Sequence, residues 1–305
     1  MPYEDFVVPD LLPPSEDGVF RTLLTHPEAK PILRDVVESF LHFPVTKVEV
    51  RNVEQPISEI NEKRERFDVN CLIDDGSQAD VEMQSDAMKG DSQRSDHKII
   101  KSRAVFNLCD LHSGQAGRGV RFDKMLRSFQ MTFCGYTVFP ERKNFMSRFS
   151  FRDENGAELS DAVGIIFVEL TKLNDVIAKP VETMTREEQW SAFFAFGGEQ
   201  KHRELITRLM TVKEEIKMAV ELLQTISKDE NERARFRSRR MFQMDMDHNL
   251  IAARDEGRDE GRIEGRDEEK LAIARSLKKL DIPIDKIISA TGLSRKEVEG
   301  LNTNK

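Results

Sequence analysis

The chain has 305 residues, 38% of them hydrophobic and 33% charged, with a formal net charge of −8. This length suits one sizeable core with an appendage, or two domains. The acidic balance excludes whole-chain charge as a reason to expect a nucleic-acid partner, which must rest instead on local basic patches. No apolar run reaches membrane-spanning length, so no membrane association is expected. Cys71, Cys109 and Cys134 are scattered without metal-type pairing, as in a reducing compartment, and the expected location is cytoplasmic.

Residues 1–14 read as an irregular, proline-punctuated lead-in with neither the basic nor the apolar region of a signal peptide. Ser15 is an expected N-cap, and helical spacing follows in Val19, Phe20, Leu23 and Leu24. It resumes after Pro27 in Ile32, Leu33, Val36, Val37, Phe40 and Leu41, so two consecutive helices are expected. Val45 to Val53 alternates like a strand. The next stretch, ERFDVNCLIDDGSQADVEMQ, spans Glu65 to Gln84 and places alternating residues on both sides of a DDG turn.

A three-residue loop of Asp74, Asp75 and Gly76, with Gly76 left-handed, gives a type I turn plus G1 bulge. Ile73 then faces Ser77, Asp68 lies opposite Glu82, and Arg66 opposite Gln84. Period two sorts Phe67, Val69, Cys71, Ile73, Ala79, Val81 and Met83 onto an apolar face. Arg66, Asp68, Asn70, Asp80, Glu82 and Gln84 fall on the other. A two-residue loop would mix the faces. Asp68 against Glu82 is an unfavourable like-charge pair. It is relieved by a raised carboxyl pKa or by a cation between the two groups, and magnesium or manganese suits oxygen ligands. A solvated hairpin face, where such pairs are screened, is the alternative.

Downstream, about Asp91 to His112 is expected to be helical. Arg127–Phe139, Phe145–Arg152 and Ala162–Leu170 read as strands, the last two flanking a DENG turn. From about Arg186 the chain reads as helical. Thr185 and Glu188 form a capping-box pattern, and 201–250 reads as a long charged helix pair. RDEGRDEGRIEGR at 254–266 repeats every four residues and reads as an exposed marginal helix or linker, because each glycine disfavours helix by roughly 1 kcal/mol. The remainder has helix-turn-helix rhythm around TGLS, read as a small packing or oligomerisation element, with a DNA-reading module as the alternative. Domain boundaries are thus expected as 1–14, 15–175, 176–250, 251–270 and 271–305.

Taken in order, several pieces resemble the Rpn family of recombination-promoting nucleases and transposases, within the PD-(D/E)XK nuclease superfamily. SEDGVFRTLL is similar to its opening helix, FDVNCLIDDG and VEMQ to its core hairpin with the Glu-x-Gln variant, GIIFVELTKL to its late strand, and the EGR repeat to its tail. Phe67 stands where the signature has proline, Gln84 where it has lysine, and the tract DLHSGQAGRGVR lacks the tyrosines of the pattern.

The resemblance implies an α/β fold, a restriction-endonuclease-like mixed sheet flanked by helices over 15–175, with a helical C-terminal region. It implies metal-dependent DNA endonuclease chemistry linked to recombination or transposition. Asp68, Glu82 and the Met83 carbonyl would ligate Mg²⁺ or Mn²⁺, with Asp17 on the metal edge and Glu16 as its competitor. Gln84 would position the attacking water. Arg94, His97, Lys98 and Lys101 fall on one helix face suited to DNA phosphates, with a solvated basic face as the alternative reading, and Arg103 stands as a separate site residue. Arg233, Arg235, Arg237, Arg239 and Arg240 form a second basic stretch, read mainly as a solvated face. A catalytically weak DNA-binding or protein-interaction module on the same fold, and self-association through the C-terminal helices, are the competing readings.

Overall fold

The computed structural model describes residues 11–51, 69–73, 75–85, 93–116 and 120–302, without the side chains of 93–96 and of most positions from 239 to 250. Arg66, Phe67, Asp68, Asp74 and the side chains of Arg94, Arg239 and Arg240 therefore lie outside the described residues.

The first helices are α1 (Asp17–Thr25) and α2 (Lys30–Leu41). Strands β1 (Val48–Val50), β2 (Val69–Ile73) and β3 (Gln78–Gln84) follow, then helix α3 (Gln93–Ser113). Next come β4 (Ser128–Cys134), β5 (Met146–Arg152) and β6 (Glu158–Glu169). The helices α4 (Asn174–Ile177), α5 (Arg186–Phe196), α6 (Arg203–Val212) and α7 (Glu214–Lys228) lead to α8 (Glu230–Lys279), α9 (Ile284–Thr291) and α10 (Arg295–Gly300). The six strands form one mixed sheet in the order β1-β2-β3-β4-β6-β5. β3, β4 and β6 run parallel at its centre, and the antiparallel pairs lie to either side. This is the mixed α/β architecture expected from the sequence.

The hairpin has the register read from the sequence. Val69 pairs with Val81, Asn70 with Asp80 and Cys71 with Ala79. Gly76 is left-handed at φ 84°, and the Ile73 N–H donates to the Ser77 carbonyl at 2.8 Å. Asp75 reinforces the turn by accepting the Ser77 N–H at 2.8 Å and an Arg127 guanidinium hydrogen bond at 2.6 Å.

One face of the sheet carries Val69, Cys71, Ile73, Ala79, Val81, Met83, Met131, Phe133 and Val168, all buried against α1, α2, α5 and α7. Phe133 is the hub, with ring centroids 5.6 Å from Phe20, 5.1 Å from Phe40 and 5.1 Å from Phe194. Such tilted and edge-on pairs add to what area burial alone supplies. Ile100, Ala104 and Leu108 of α3 pack on the other face against Cys134, Ile165 and Phe167.

Several boundaries differ from the sequence reading. Glu16, not Ser15, is the N-cap of α1, because the Glu16 N–H closes a turn on the Pro13 carbonyl. Of the strand expected over 45–53, Val48–Val50 forms the paired segment among the described residues. The charged helix pair expected over 201–250 is broken at Lys213 and Asp229, both extended in backbone. The break at Lys213 has a physical reason. Its ammonium is buried and lies 2.6 Å from the buried Asp35 carboxylate of α2. Asp35 also accepts the Trp190 indole N–H at 2.7 Å and a contact from Arg186, which bonds Glu38 at 2.9 Å as well.

Residues 241–305 form a second compact unit. Residues 254–266 are helical and fully exposed, and nothing lies near Gly257, Gly261 or Gly265. Ala274, Ile287 and Val298 form a small core. Left-handed Gly292 ends α9, and the Ser294–Glu297 capping box opens α10. The Lys278 ammonium donates to the carbonyls of Val298, Glu299 and Leu301, satisfying the end of α10.

Burial pushes the Asp35 carboxyl upward, but the hydrogen bonds from Lys213, Arg186 and Trp190 outweigh it and hold the group below the usual carboxylate range. A depressed folded-state pKa stabilises the fold fully above the unfolded value of about 3.9, and that contribution disappears as pH falls through the lower folded value. Asp35→Ala leaves Lys213 buried without its carboxylate and is expected to cost about 3–5 kcal/mol. Urea denaturation at neutral pH checks this, and the gap from wild type should narrow as the solution is made strongly acidic.

Candidate functional site

The acidic stripe of the hairpin lies on the α3 side of the sheet. Parallel pairing sets Asp80 beside Gln130 and Glu82 beside Thr132. All four side chains have no solvent exposure. For Asp80 and Glu82, the solvated-face alternative therefore does not hold. A polar layer this deep costs free energy unless its groups find partners.

Helix α3 supplies those partners for Glu82. Asn107, itself 1% exposed, donates its side-chain N–H to Glu82 Oε1 at 2.7 Å. Arg103, one turn earlier, brings its guanidinium to 3.9 Å from the same oxygen. The Gln130 amide, the Thr132 hydroxyl and Asn107 Oδ1 are buried with no hydrogen-bond partner among the described residues. At the other end of the layer, Ser128 Oγ meets His112 Nδ1 at 3.1 Å and Gln115 Nε2 at 2.9 Å.

The end of β3 is built by close backbone approach. Asp17, the first residue of α1, accepts the Ser85 N–H at 3.0 Å through Oδ1, which brings it to the residue after Gln84. The Gly135 N–H donates to the Gln84 carbonyl at 2.8 Å. A Cβ at Gly135 would sit 2.3 Å from the Ser85 carbonyl oxygen, so this contact requires glycine. Gln84 is half-buried, and the Met83 side chain points into the opposite, apolar core.

The structure thus brings Glu82 and Arg103 together and sets Asp17 at the strand end beyond Gln84. Asp68 lies outside the described residues, as does the side chain of Arg94. Lys98 is exposed on α3, and the Lys101 ammonium lies 4.2 Å from the centre of the Phe139 ring, a cation–π contact. Arg233, Arg235 and Arg237 are exposed along α8. Among the described residues, no three His, Cys, Asp or Glu side chains cluster as a metal cage. No described helix is long and apolar enough to cross a membrane.

No motif in the sequence marks Asn107, since a mid-helix asparagine carries no spacing signal. Its poor helix propensity was the one clue. Nor was a role foreseen for Glu169, the end of β6. It is fully buried, and its Oε1 accepts the N–H groups of Val138 and Phe139 at 2.7 and 3.0 Å. Lys172 completes the clamp, 2.8 Å from Glu169 Oε2 and bonded to the carbonyls of Phe139 and Arg142. Glu169 therefore secures the loop after β4.

Compared with known families, residues 14–253 match the PD-(D/E)XK nuclease family transposase. No curated protein and no solved structure matches the chain.

The two strand cysteines are buried on opposite faces of the sheet, Cys71 on the apolar face and Cys134 on the α3 side. Burial and the nearby Asp80 carboxylate push the Cys71 thiol up to about 12. Burial, with Glu169 and Glu82, raises Cys134 as well. Cys109 is exposed. One of the three thiols is expected to react with Ellman's reagent in the native protein at neutral pH, and all three after denaturation.

Proposed function

Since the chain belongs to the PD-(D/E)XK nuclease family transposases, we propose that it is a metal-dependent DNA endonuclease hydrolysing phosphodiester bonds in recombination or transposition. The observation that carries this reading is Glu82, a carboxylate without solvent exposure, whose Oε1 accepts a hydrogen bond from Asn107 and pairs with Arg103, both on α3. In the hairpin register expected from the sequence, Asp68 lies opposite Glu82. Two facing carboxylates suit magnesium or manganese, and the buried oxygens of Gln130, Thr132 and Asn107 make the surroundings oxygen-rich, as a hard cation requires.

In this reading Asp68, Glu82 and the Met83 carbonyl hold the cation, and Asp17 lies at its edge. When bound, the cation supplies Lewis-acid charge at the scissile phosphate and eases deprotonation of the attacking water. Gln84 orients that water through its amide but lacks the positive charge of the lysine in the general signature. Arg103, a permanent cation beside Glu82, is suited to supply it. Arg94, Lys98 and Lys101 hold the DNA backbone through phosphate contacts that carry no sequence information.

Plasmid DNA incubated with Mg²⁺ or Mn²⁺ tests the reading. Wild type is expected to cleave, and Asp68→Ala and Glu82→Ala each to fall at least about a hundredfold, more than loss of a supporting contact costs. Equal cleavage by all three would remove the proposed site. DNA binding by wild type without cleavage would favour a binding module on the same fold. Lys98→Ala and Lys101→Ala are expected to weaken DNA binding similarly across sequences, each reducing the salt slope by about one.

A further inference from the structure

We infer that Asn107 is the positioning residue for Glu82: its amide fixes which carboxylate oxygen is presented to the divalent cation. This rests on the metal-site reading above and adds to it a residue outside the proposed ligand set.

The geometry points to it directly. A carboxylate only accepts hydrogen bonds, so the amide nitrogen of Asn107 must face Glu82, and it does so at 2.7 Å. Arg103 and Asn107 stand four residues apart on α3 and reach the same oxygen, Oε1. With Oε1 held by both, the carboxylate cannot swing freely within the layer. Oε2 is then the oxygen assigned to the cation. A hydrogen bond that fixes a ligand's orientation in this way typically accounts for a large share of metal affinity.

A purely structural role fits less well. Asn107 is 1% exposed, yet its Oδ1 has no partner among the described residues. Its neighbours on α3, Ile100, Ala104 and Leu108, pack apolar surface on the sheet. An apolar side chain at 107 would serve that packing without a buried, half-satisfied amide. What asparagine adds at this position is the donor to Glu82.

Calorimetric Mn²⁺ titration of the full chain, paired with thermal melts, tests the inference. Asn107→Leu keeps the branched outline of the side chain and removes the amide. It is expected to weaken Mn²⁺ binding about tenfold or more and to melt lower than wild type, because the buried Glu82 carboxylate loses a donor. Asn107→Ala is expected to lose the same affinity. Leu108→Ala, beside it on the packing face, is expected to lower the melting temperature and leave Mn²⁺ affinity unchanged. Asn107→Asp adds a second readout. Its deficit relative to wild type at each pH should shrink as pH falls, because a protonated aspartate regains a donor. Wild-type affinity in Asn107→Leu, alongside its loss in Glu82→Gln, would overturn this inference and leave the metal site standing. A wild-type protein that binds no Mn²⁺, or an unaffected Glu82→Gln, would overturn the metal-site reading and this inference with it.

Discussion

A carboxylate taken out of water constrains everything around it. Moving such an ion into a protein interior costs several kcal/mol even after relaxation, so it must be met by hydrogen bonds and by positive charge. Glu82 has no exposure, and α3 meets it with the Asn107 amide and the Arg103 guanidinium. The helix is thereby tied to β3 by polar contacts and to β4 and β6 by Ile100, Ala104 and Leu108. Removing the acid would relieve the constraint, and nothing in the packing of the opposite, apolar face requires it.

The sheet gives this arrangement its stiffness. β3 is an inner strand, held antiparallel to β2 and parallel to β4. Its apolar side is locked onto the aromatic cluster around Phe133, so the alternate positions Asp80 and Glu82 have no choice of direction. Behind that cluster, the Asp35–Lys213–Arg186–Trp190 network joins α2, α5 and the start of α7. On the other side, α3 carries Lys98 and Lys101 on the same element as Arg103 and Asn107. In the proposed reading, the helix that meets the DNA backbone is the one that orients the metal ligand.

The hairpin was legible in the sequence because its determinants are local. DDG fixes the loop, period two fixes the faces, and one register satisfies both. The capping box at Thr185 and Glu188 was legible for the same reason. What the sequence hid depends on distant partners. Ser128, Gln130 and Thr132 alternate with Phe129, Met131 and Phe133, a pattern that normally marks a solvent-facing side, yet α3 covers them. Lys213 interrupts a charged helical run because Asp35, far away in sequence, recruits its ammonium. Asn107 has no periodic or motif signature, and only the position of Glu82 gives it meaning.

The metal-site reading requires a divalent ion against Glu82. Anomalous diffraction from crystals grown with Mn²⁺ measures this directly. A manganese peak is expected about 2.1 Å from a Glu82 carboxylate oxygen, with Asp68 and the Met83 carbonyl completing the protein ligands and Asn107 on the other oxygen. A peak remote from Glu82, or Glu82 and Asp68 directed to opposite faces of the hairpin, would contradict it.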